Sequence, residues 1–389
     1  MIFLKLDKID LLLISIILCL GVISCFTLYT LHDYLPLYVQ NSYFKQIIWF
    51  LIGSITIFVM LFFDVEFYRK LAWPLYSIGI LSLIGLFFLP WGWENKGALR
   101  WYMLPVGGIT VQPSEFMKIF LVLLLAHVIA RHNEKWTIKN WKYDFLLLIK
   151  IICLAIIPLG LIMIQPDVGS ALVIASITLF TLIVSGIRWR TLFSLFGSVI
   201  FGISALVLIY FSNPERFIAF LNKTMFHHVA DRIQAWHQPQ LYQDSSAMQA
   251  IKSTLAIGSG QMSGKGLGNY EVNIPERHTD MIFTAIAEQF GFIGSSIVII
   301  LYFLLLYRMI SIAIQTKNPF GSYVCVGFVG MFTYQIFQNI GMSLQLLPLT
   351  GIPLPFMSYG GTSLLIYMVA IGIVLNVHAK EKTYMFDTE

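Results

Sequence analysis

The chain has 389 residues, of which 58 % are hydrophobic and only 12 % charged, with a formal net charge of +5. A soluble domain carries about 25 % charged residues, and the mean hydropathy here is strongly positive. Composition therefore excludes a soluble fold, and no nucleic-acid partner is expected; what remains is a polytopic membrane protein.

A helix needs about 20 mostly apolar residues to cross a bilayer. Ten runs meet that need: residues 9–30, 45–63, 71–90, 113–130, 145–164, 168–186, 191–211, 281–311, 320–343 and 353–377. The expected fold class is an all-α polytopic membrane protein of about ten transmembrane helices, one domain over residues 1–389. The first run exceeds the apolar region of a signal peptide, roughly 7–15 residues, and reads as the first span. Cys19, Cys25, Cys153 and Cys325 all lie in apolar stretches and read as small core residues.

Lys and Arg set the orientation. With the N-terminus in the cytoplasm, 14 of the 25 basic residues fall in cytoplasmic segments and 9 in outer ones, six of these in one long loop. Long loops count little in this rule. Both termini are expected in the cytoplasm. The long outer loop, about 212–280, lies between helices 7 and 8. Helix-like patterning around 214–224 and 245–257 suggests that it folds onto the outer face.

In chain order, the first polar outer segment, 91–112, carries Trp91, Trp93, Arg100 and Trp101. "QPSEFMKIF" follows and sets Glu115 and Lys118 at i,i+3 on one helical face. Charge inside a span is costly and tends to be functional. The pair is either an internal ion pair that tolerates burial or the lining of a polar cavity. His127 and Lys150 lie near cytoplasmic span ends, where Lys150 can snorkel, and read as structural. "QPD" (165–167) punctuates a span end as a tight turn.

"AIGSGQMSGKGLG" (256–268) fails the GxxxxGK[ST] template, with Ser259 at the first glycine position and Gly266 at the last. Its glycines and Lys265 could still present N–H groups to a phosphate; the alternative is a flexible turn. "PLTGIPLPFMSYGGTS" (348–363) is either a tight turn or a re-entrant segment beside a lipid-facing groove, because broken backbone at membrane depth needs a protein or cavity environment. Between these lies "IPERHTDMIF" (274–283). Thr279 and Asp280 precede an apolar helix, as an N-cap does. Asp280 at the membrane interface could equally be a general base, its pKa set by a nearby cation and by desolvation, which oppose each other. Glu288, two turns into the same span, is either a hydrogen-bonded packing residue or a functional carboxylate.

Ten spans with buried charge fit a transporter, but no internal repeat is evident and the polar motifs gather on the outer side. That favours an enzyme acting on a lipid-linked substrate at the outer leaflet. A scaffold for partner proteins explains the helices and leaves the charge cluster unexplained.

The motifs "KGALRWYMLPVGGITVQPSEFMKIF", "QPDVGSALVI", "AIGSGQMSGKGLG", "IPERHTDMIFTAIAEQFGFIG" and "LTGIPLPFMSYGGTSLL" resemble, in order and spacing, the SEDS family, which includes RodA, FtsW and SpoVE. The resemblance covers essentially the whole chain. It implies ten spans in the bacterial cytoplasmic membrane and a peptidoglycan glycosyltransferase that polymerises lipid II, a disaccharide-pentapeptide on undecaprenyl diphosphate. It also implies a class B penicillin-binding protein as cross-linking partner; a precursor flippase or a non-enzymatic scaffold is the alternative. The short tails favour the rod-shape elongation branch over division or sporulation.

The family's essential aspartate, in its HTD motif, falls on Asp280, beside His278. The tryptophan of its RW motif falls on Trp101, and its QPSE-helix charges fall on Glu115 and Lys118. This chain has Glu288-Gln289 where the family often has two glutamates, Gly260-Gln261 where it often has two glycines, and Met248-Gln249 where Tyr-Gln is common. In the mechanism implied, Asp280 takes a proton from a sugar 4-hydroxyl while undecaprenyl diphosphate leaves. Arg100, Lys265, Arg277 or a divalent cation, magnesium or manganese, stabilises the leaving charge. Lys118 holds Asp280 ionised.

Overall fold

The computed structural model describes residues 9–37, 39–89, 92–95, 98–103, 110–136, 140–222, 227–237 and 245–384. Ten long helices correspond one to one with the ten apolar runs. They are α1 (Leu11–Thr30), α2 (Ser42–Phe62), α3 (Val65–Gly85), α4 (Pro113–Lys135), α5 (Trp141–Ile164), α6 (Val168–Val184), α7 (Trp189–Ser212), α11 (Ile282–Gln315), α12 (Pro319–Ser343) and α13 (Gly361–Tyr384). Three shorter helices fold the long loop: α8 (Pro214–Asn222), α9 (His227–His237) and α10 (Ser245–Ser259). The patterned stretches become α8 and α10; α9 was not foreseen.

Eight of the ten long helices are long and apolar enough to span a membrane on length and composition alone. Of the other two, α6 is apolar but has 17 residues, and α3 carries Glu66, Arg69 and Lys70 in its first turns. Those charges explain why α3 lies earlier than the expected 71–90. Its charged turns stay helical in the interface, where Arg69 meets Glu134 at 2.6 Å. Near the same end Lys380 meets Asp64 at 2.8 Å, and Arg308 of α11 meets Asp10, the N-cap of α1, at 2.6 Å.

The last helix also departs from expectation. Residues 344–360 contain no helix, and α13 starts at Gly361 rather than near 353. Pro353 and Pro355 lack an N–H and Gly351 has φ +73°, so this stretch cannot enter a helical ladder. The segment between α3 and α4 holds a small antiparallel sheet that an all-helical reading omits: β1 (Gly92–Asn95), β2 (Ala98–Met103) and β3 (Thr110–Val111), in that order. Trp93 pairs with Trp101 and Tyr102 with Val111. Tyr102 Oη donates to the Ser82 carbonyl at 2.8 Å, tying the sheet to the C-terminal end of α3. Trp91 lies outside the described residues.

Helices α4, α12 and α13 form the core, their apolar windows two-thirds or more buried. They pack on α3, α6 and α2 respectively. Helix α7 stands at the periphery, where only Leu192 is buried. Bundling the core helices this way gathers the N-terminal ends of α4 and α13, with the segments before them, around one polar cavity.

Candidate active site

The cavity measures about 920 Å³ and is lined by Arg100, Trp101, Glu115, Lys118 and Asp280, among others. Five of the sequence-predicted site residues thus meet in one place. The floor comes from α4. Pro113 opens that helix, where a missing N–H costs nothing, and the next turn presents Glu115 and Lys118, 3 % and 1 % exposed. Lys118 Nζ lies 2.7 Å from Glu115 Oε2. Burial of both charges together is tolerable because each neutralises the other, and the pair also lines the cavity.

One wall joins β2 to the turn between α5 and α6. Arg100 donates Nε to the Gln165 carbonyl at 3.2 Å and Nη2 to the Pro166 carbonyl. Asp167 caps α6 through the Ser170 N–H at 3.1 Å and accepts from Gln112 Nε2 at 3.0 Å. The "QPD" turn is therefore a bracket that fixes an arginine and an aspartate at the cavity edge. Arg232 of α9 lines the same cavity and donates to the Thr350 carbonyl at 3.4 Å. Burial, and then the Arg100 charge, lower the Arg232 pKa; Asp167 and Asp280 offset them only in part. Two guanidiniums within electrostatic reach of each other make this wall a place for an anion.

Asp280 sits at the mouth of α11, but Met281 holds the N-cap position of that helix, without a side-chain cap bond. The cap expectation is corrected: the turn ending at Met281 sets the aspartate one residue outside capping position. Its backbone is fixed by three successive contacts. The carbonyl of His278 accepts from the Tyr359 N–H at 2.9 Å, that of Thr279 from Ser358 Oγ at 2.7 Å, and that of Asp280 from Asn339 Nδ2 at 2.8 Å. The same Asn339 nitrogen donates to Ile352 at 2.8 Å. A Cβ on Gly351 would lie 3.3 Å from Asp280 Oδ2, so glycine lets the backbone of the 344–360 segment come close to the carboxylate.

Lys265, Arg277, His278 and Glu288 do not line the cavity. Glu288 is wholly buried and accepts from Lys265 Nζ at 2.9 Å, from Arg277 and from the Glu271 N–H at 2.9 Å. Arg277 also donates to the Val272 and Thr284 carbonyls and lies 4.5 Å over the Tyr270 ring. Both cations are thus committed to a hub beneath the His-Thr-Asp turn, away from the anion wall. His278 is buried and packs near Tyr359, ring centroids 6.0 Å apart. Gln289 accepts from Thr30 Oγ1 at 3.0 Å and Tyr270 Oη at 2.6 Å, contacts that need an acceptor and no charge.

The glycine-rich segment 256–268 is neither a phosphate loop nor a free turn. Gly291, with φ +63°, breaks α11, and the segment enters the break. Its Lys265 and Gly266 N–H groups donate to the Glu288 and Gln289 carbonyls at 3.0 and 3.2 Å. Its Gln261 and Met262 carbonyls accept from Phe292 and Ile293 at 2.9 and 3.2 Å. Backbone groups freed by a helix break must find partners, and this segment supplies four of them.

A family model described as "Cell cycle protein", that of FtsW, RodA and SpoVE, matches residues 7–383. The chain belongs to this family. A protein of Trichlorobacter lovleyi named probable peptidoglycan glycosyltransferase FtsW is 32 % identical over 345 residues, 87 % of this chain and 84 % of that one. The Escherichia coli K12 protein named peptidoglycan glycosyltransferase MrdB is 32 % identical over 335 residues, 85 % and 84 %. Equal identity favours neither of these two relatives. A solved chain from work on a peptidoglycan synthase complex, concerned with coordinating polymerization and crosslinking, matches with a TM-score of 0.73 at 25 % identity, covering 96 % of this chain and 98 % of that one.

Within this family member, sequence reasoning missed Arg232, Asp167, Asn339 and Ser358. Asn339 had a signal, since "QIFQN" (335–339) puts three polar residues in an apolar span. Asp167 was seen only as part of a turn. Arg232 had no signal of its own among the cations of a long loop.

Proposed function

We propose that this chain is a peptidoglycan glycosyltransferase that polymerises lipid II at the outer face of the bacterial cytoplasmic membrane. The observation that carries the proposal is Asp280 in one cavity with the Arg100–Arg232 wall, a base beside an anion site. The names of the family relatives support the reaction class, and the bias of Lys and Arg supports cytoplasmic termini.

In the reaction, the 4-hydroxyl oxygen of an incoming lipid II attacks the anomeric carbon of the growing chain. The bond from that carbon to the diphosphate breaks, the hydroxyl proton passes to the Asp280 carboxylate, and undecaprenyl diphosphate leaves with one added negative charge. Arg100 and Arg232 face that charge; Lys118, with Glu115, gives the cavity floor a fixed polarity. Lys265, Arg277, His278 and Glu288 act at one remove, holding the turn that carries Asp280. Among the described residues no three His, Cys, Asp or Glu come together as a metal site. A magnesium or manganese ion would instead be held by one or two of the cavity carboxylates, Asp167 among them, and would offset negative charge on the departing diphosphate. A class B penicillin-binding protein is the proposed partner, in keeping with the synthase complex that shares the fold.

The test is Asp280→Asn. Asparagine matches aspartate in size and polarity but cannot take the proton. The variant should fold and insert, and should make no glycan from purified lipid II in detergent. Full activity would sink the assignment. A flippase would make no product even as wild type with its partner added, because detergent leaves no membrane sides to cross.

A further inference from the structure

Polymerisation needs two lipid-linked substrates at once, each with a diphosphate and a polyprenyl tail, and the Arg100–Arg232 wall accounts for one. We infer that the outer turns of α2 hold the other: Lys45 binds the diphosphate of the acceptor, and Ile48, Trp49 and Ile52 carry the first part of its tail into the bilayer. This rests on the glycosyltransferase reading.

All four residues line the same cavity as Asp280. At i, i+3, i+4 and i+7 they share one helical face. Helix α2 begins at Ser42, its outer end in the orientation proposed above, so Ile52 lies about 10 Å deeper than Lys45 at 1.5 Å per residue. A cation at the headgroup level with apolar side chains below it matches a polyprenyl diphosphate in both charge and depth. Ile48 and Ile52 are 40 % and 39 % exposed, open to lipid along the path a tail takes. None of the ion pairs among the described residues uses Lys45, so its charge is available.

The stripe is also rigidly placed. Gln46, wholly buried, donates to the Ser358 carbonyl at 3.2 Å, and Ser358 holds the Thr279 carbonyl. Trp49 presses on the start of α13, where a Cβ on Gly361 would fall 2.2 Å from its ring. The helix turn that carries Lys45 is thus tied to the turn that carries Asp280 through two hydrogen bonds.

Chemistry decides which substrate goes where. The donor's anomeric carbon is bonded directly to its diphosphate, so the leaving phosphates must lie beside the base. Arg100 and Arg232 line the cavity together with Asp280, which assigns the donor to that side. The acceptor's reactive hydroxyl is a disaccharide away from its own diphosphate. That diphosphate belongs at a cation farther along the cavity, and α2, packed on α13 and α1, supplies one.

The experiment separates the two roles with a lipid II whose 4-hydroxyl is capped as a methyl ether, which can only donate. With capped donor saturating and free-hydroxyl lipid II titrated, Lys45→Gln should raise the acceptor KM about ten-fold, the loss of about 1.4 kcal/mol of binding. Its kcat should stay within about two-fold, and titrating the capped donor should show no change. Lys45→Arg should restore the KM. Ile52→Trp should raise the KM for undecaprenyl acceptor and spare a short-tailed one. An unchanged acceptor KM in Lys45→Gln, or an equal rise for the capped donor, would overturn the inference while wild-type polymerisation kept the enzymatic reading intact. Absence of glycan from the wild type would defeat that reading instead. The site is then judged by binding of undecaprenyl diphosphate through quenching of Trp49, with Trp49→Phe as background: binding weakened by Lys45→Gln supports the site, and unchanged binding overturns it.

Discussion

Gly264 lies so close to Gln289 that a Cβ on it would stand 2.1 Å from the Gln289 carbonyl oxygen. Its φ of +81° is in the left-handed region as well. Two independent penalties therefore meet at one residue, and both bear on the break in α11 that the segment stabilises. Alanine in the left-handed region alone costs roughly 1–2 kcal/mol, and the backbone contact adds to it. Gly264→Ala should lower the detergent melting temperature, by about 2 kcal/mol or more at the midpoint. Gly258→Ala is the matched control: it has open space around its Cβ position and lies inside α10, so it should be neutral or stabilising by up to about 1 kcal/mol. Equal effects from the two variants would mean that the segment does not splice the break.

Glu115 and Lys118 make a second testable unit. Removing one partner of a buried pair leaves a charge without compensation, at about 3–5 kcal/mol. Glu115→Gln should therefore reduce stability sharply. The double variant Glu115→Gln/Lys118→Met removes both charges and should recover most of the melting temperature. It should not recover polymerisation, because both side chains line the cavity that holds Asp280. Recovery of activity along with stability would reduce the pair to an internal tether.

These two cases mark what was legible in the sequence. The helices could be read because a bilayer permits few ways to satisfy the backbone, and the Glu115–Lys118 pair because i,i+3 spacing is itself a structural statement. The ends of α13 and α3 moved for local reasons, prolines in one and interfacial charge in the other. The commitments of the loop cations could not be read. Lys265 and Arg277 looked as free for phosphate as Arg100 did, and only the fold shows both spent on Glu288, 23 and 11 residues away. Arg232 comes to line one cavity with Asp167 and Asp280 across loops whose course no periodicity encodes.

The Lys265 contacts predict a pH signature. Burial pulls its ammonium toward the neutral form, but hydrogen bonds to Glu271 and Glu288 outweigh that and its pKa is raised. A raised basic pKa contributes stability that is complete below the unfolded value, about 10.4 for lysine, and fades as pH climbs through the folded one. The melting difference between wild type and Lys265→Met should be flat from neutral pH to about pH 10 and shrink above it. A difference that instead vanished toward neutral pH would contradict the ion-pair assignment.

Arg232 offers the sharpest test of the anion wall, because its chemistry differs from plain binding. A sugar diphosphate diester already carries charge in the ground state, and any cation nearby helps it bind. As the anomeric bond breaks, the diphosphate gains one more negative charge, and a guanidinium beside the bridging oxygen acts most strongly at that moment. Loss of one such donor costs about 10²-fold or more in kcat. Arg232→Gln should thus lower kcat by about that factor with a smaller rise in donor KM, while its melting temperature changes little, since among the described residues its side chain bonds only the Thr350 carbonyl, at 3.4 Å. Arg232→Lys keeps the charge but loses the fork geometry, and should fall between. A rise in KM alone, with kcat intact, would assign Arg232 to ground-state docking and leave Arg100, held by the Gln165 and Pro166 carbonyls, as the group facing the departing phosphate.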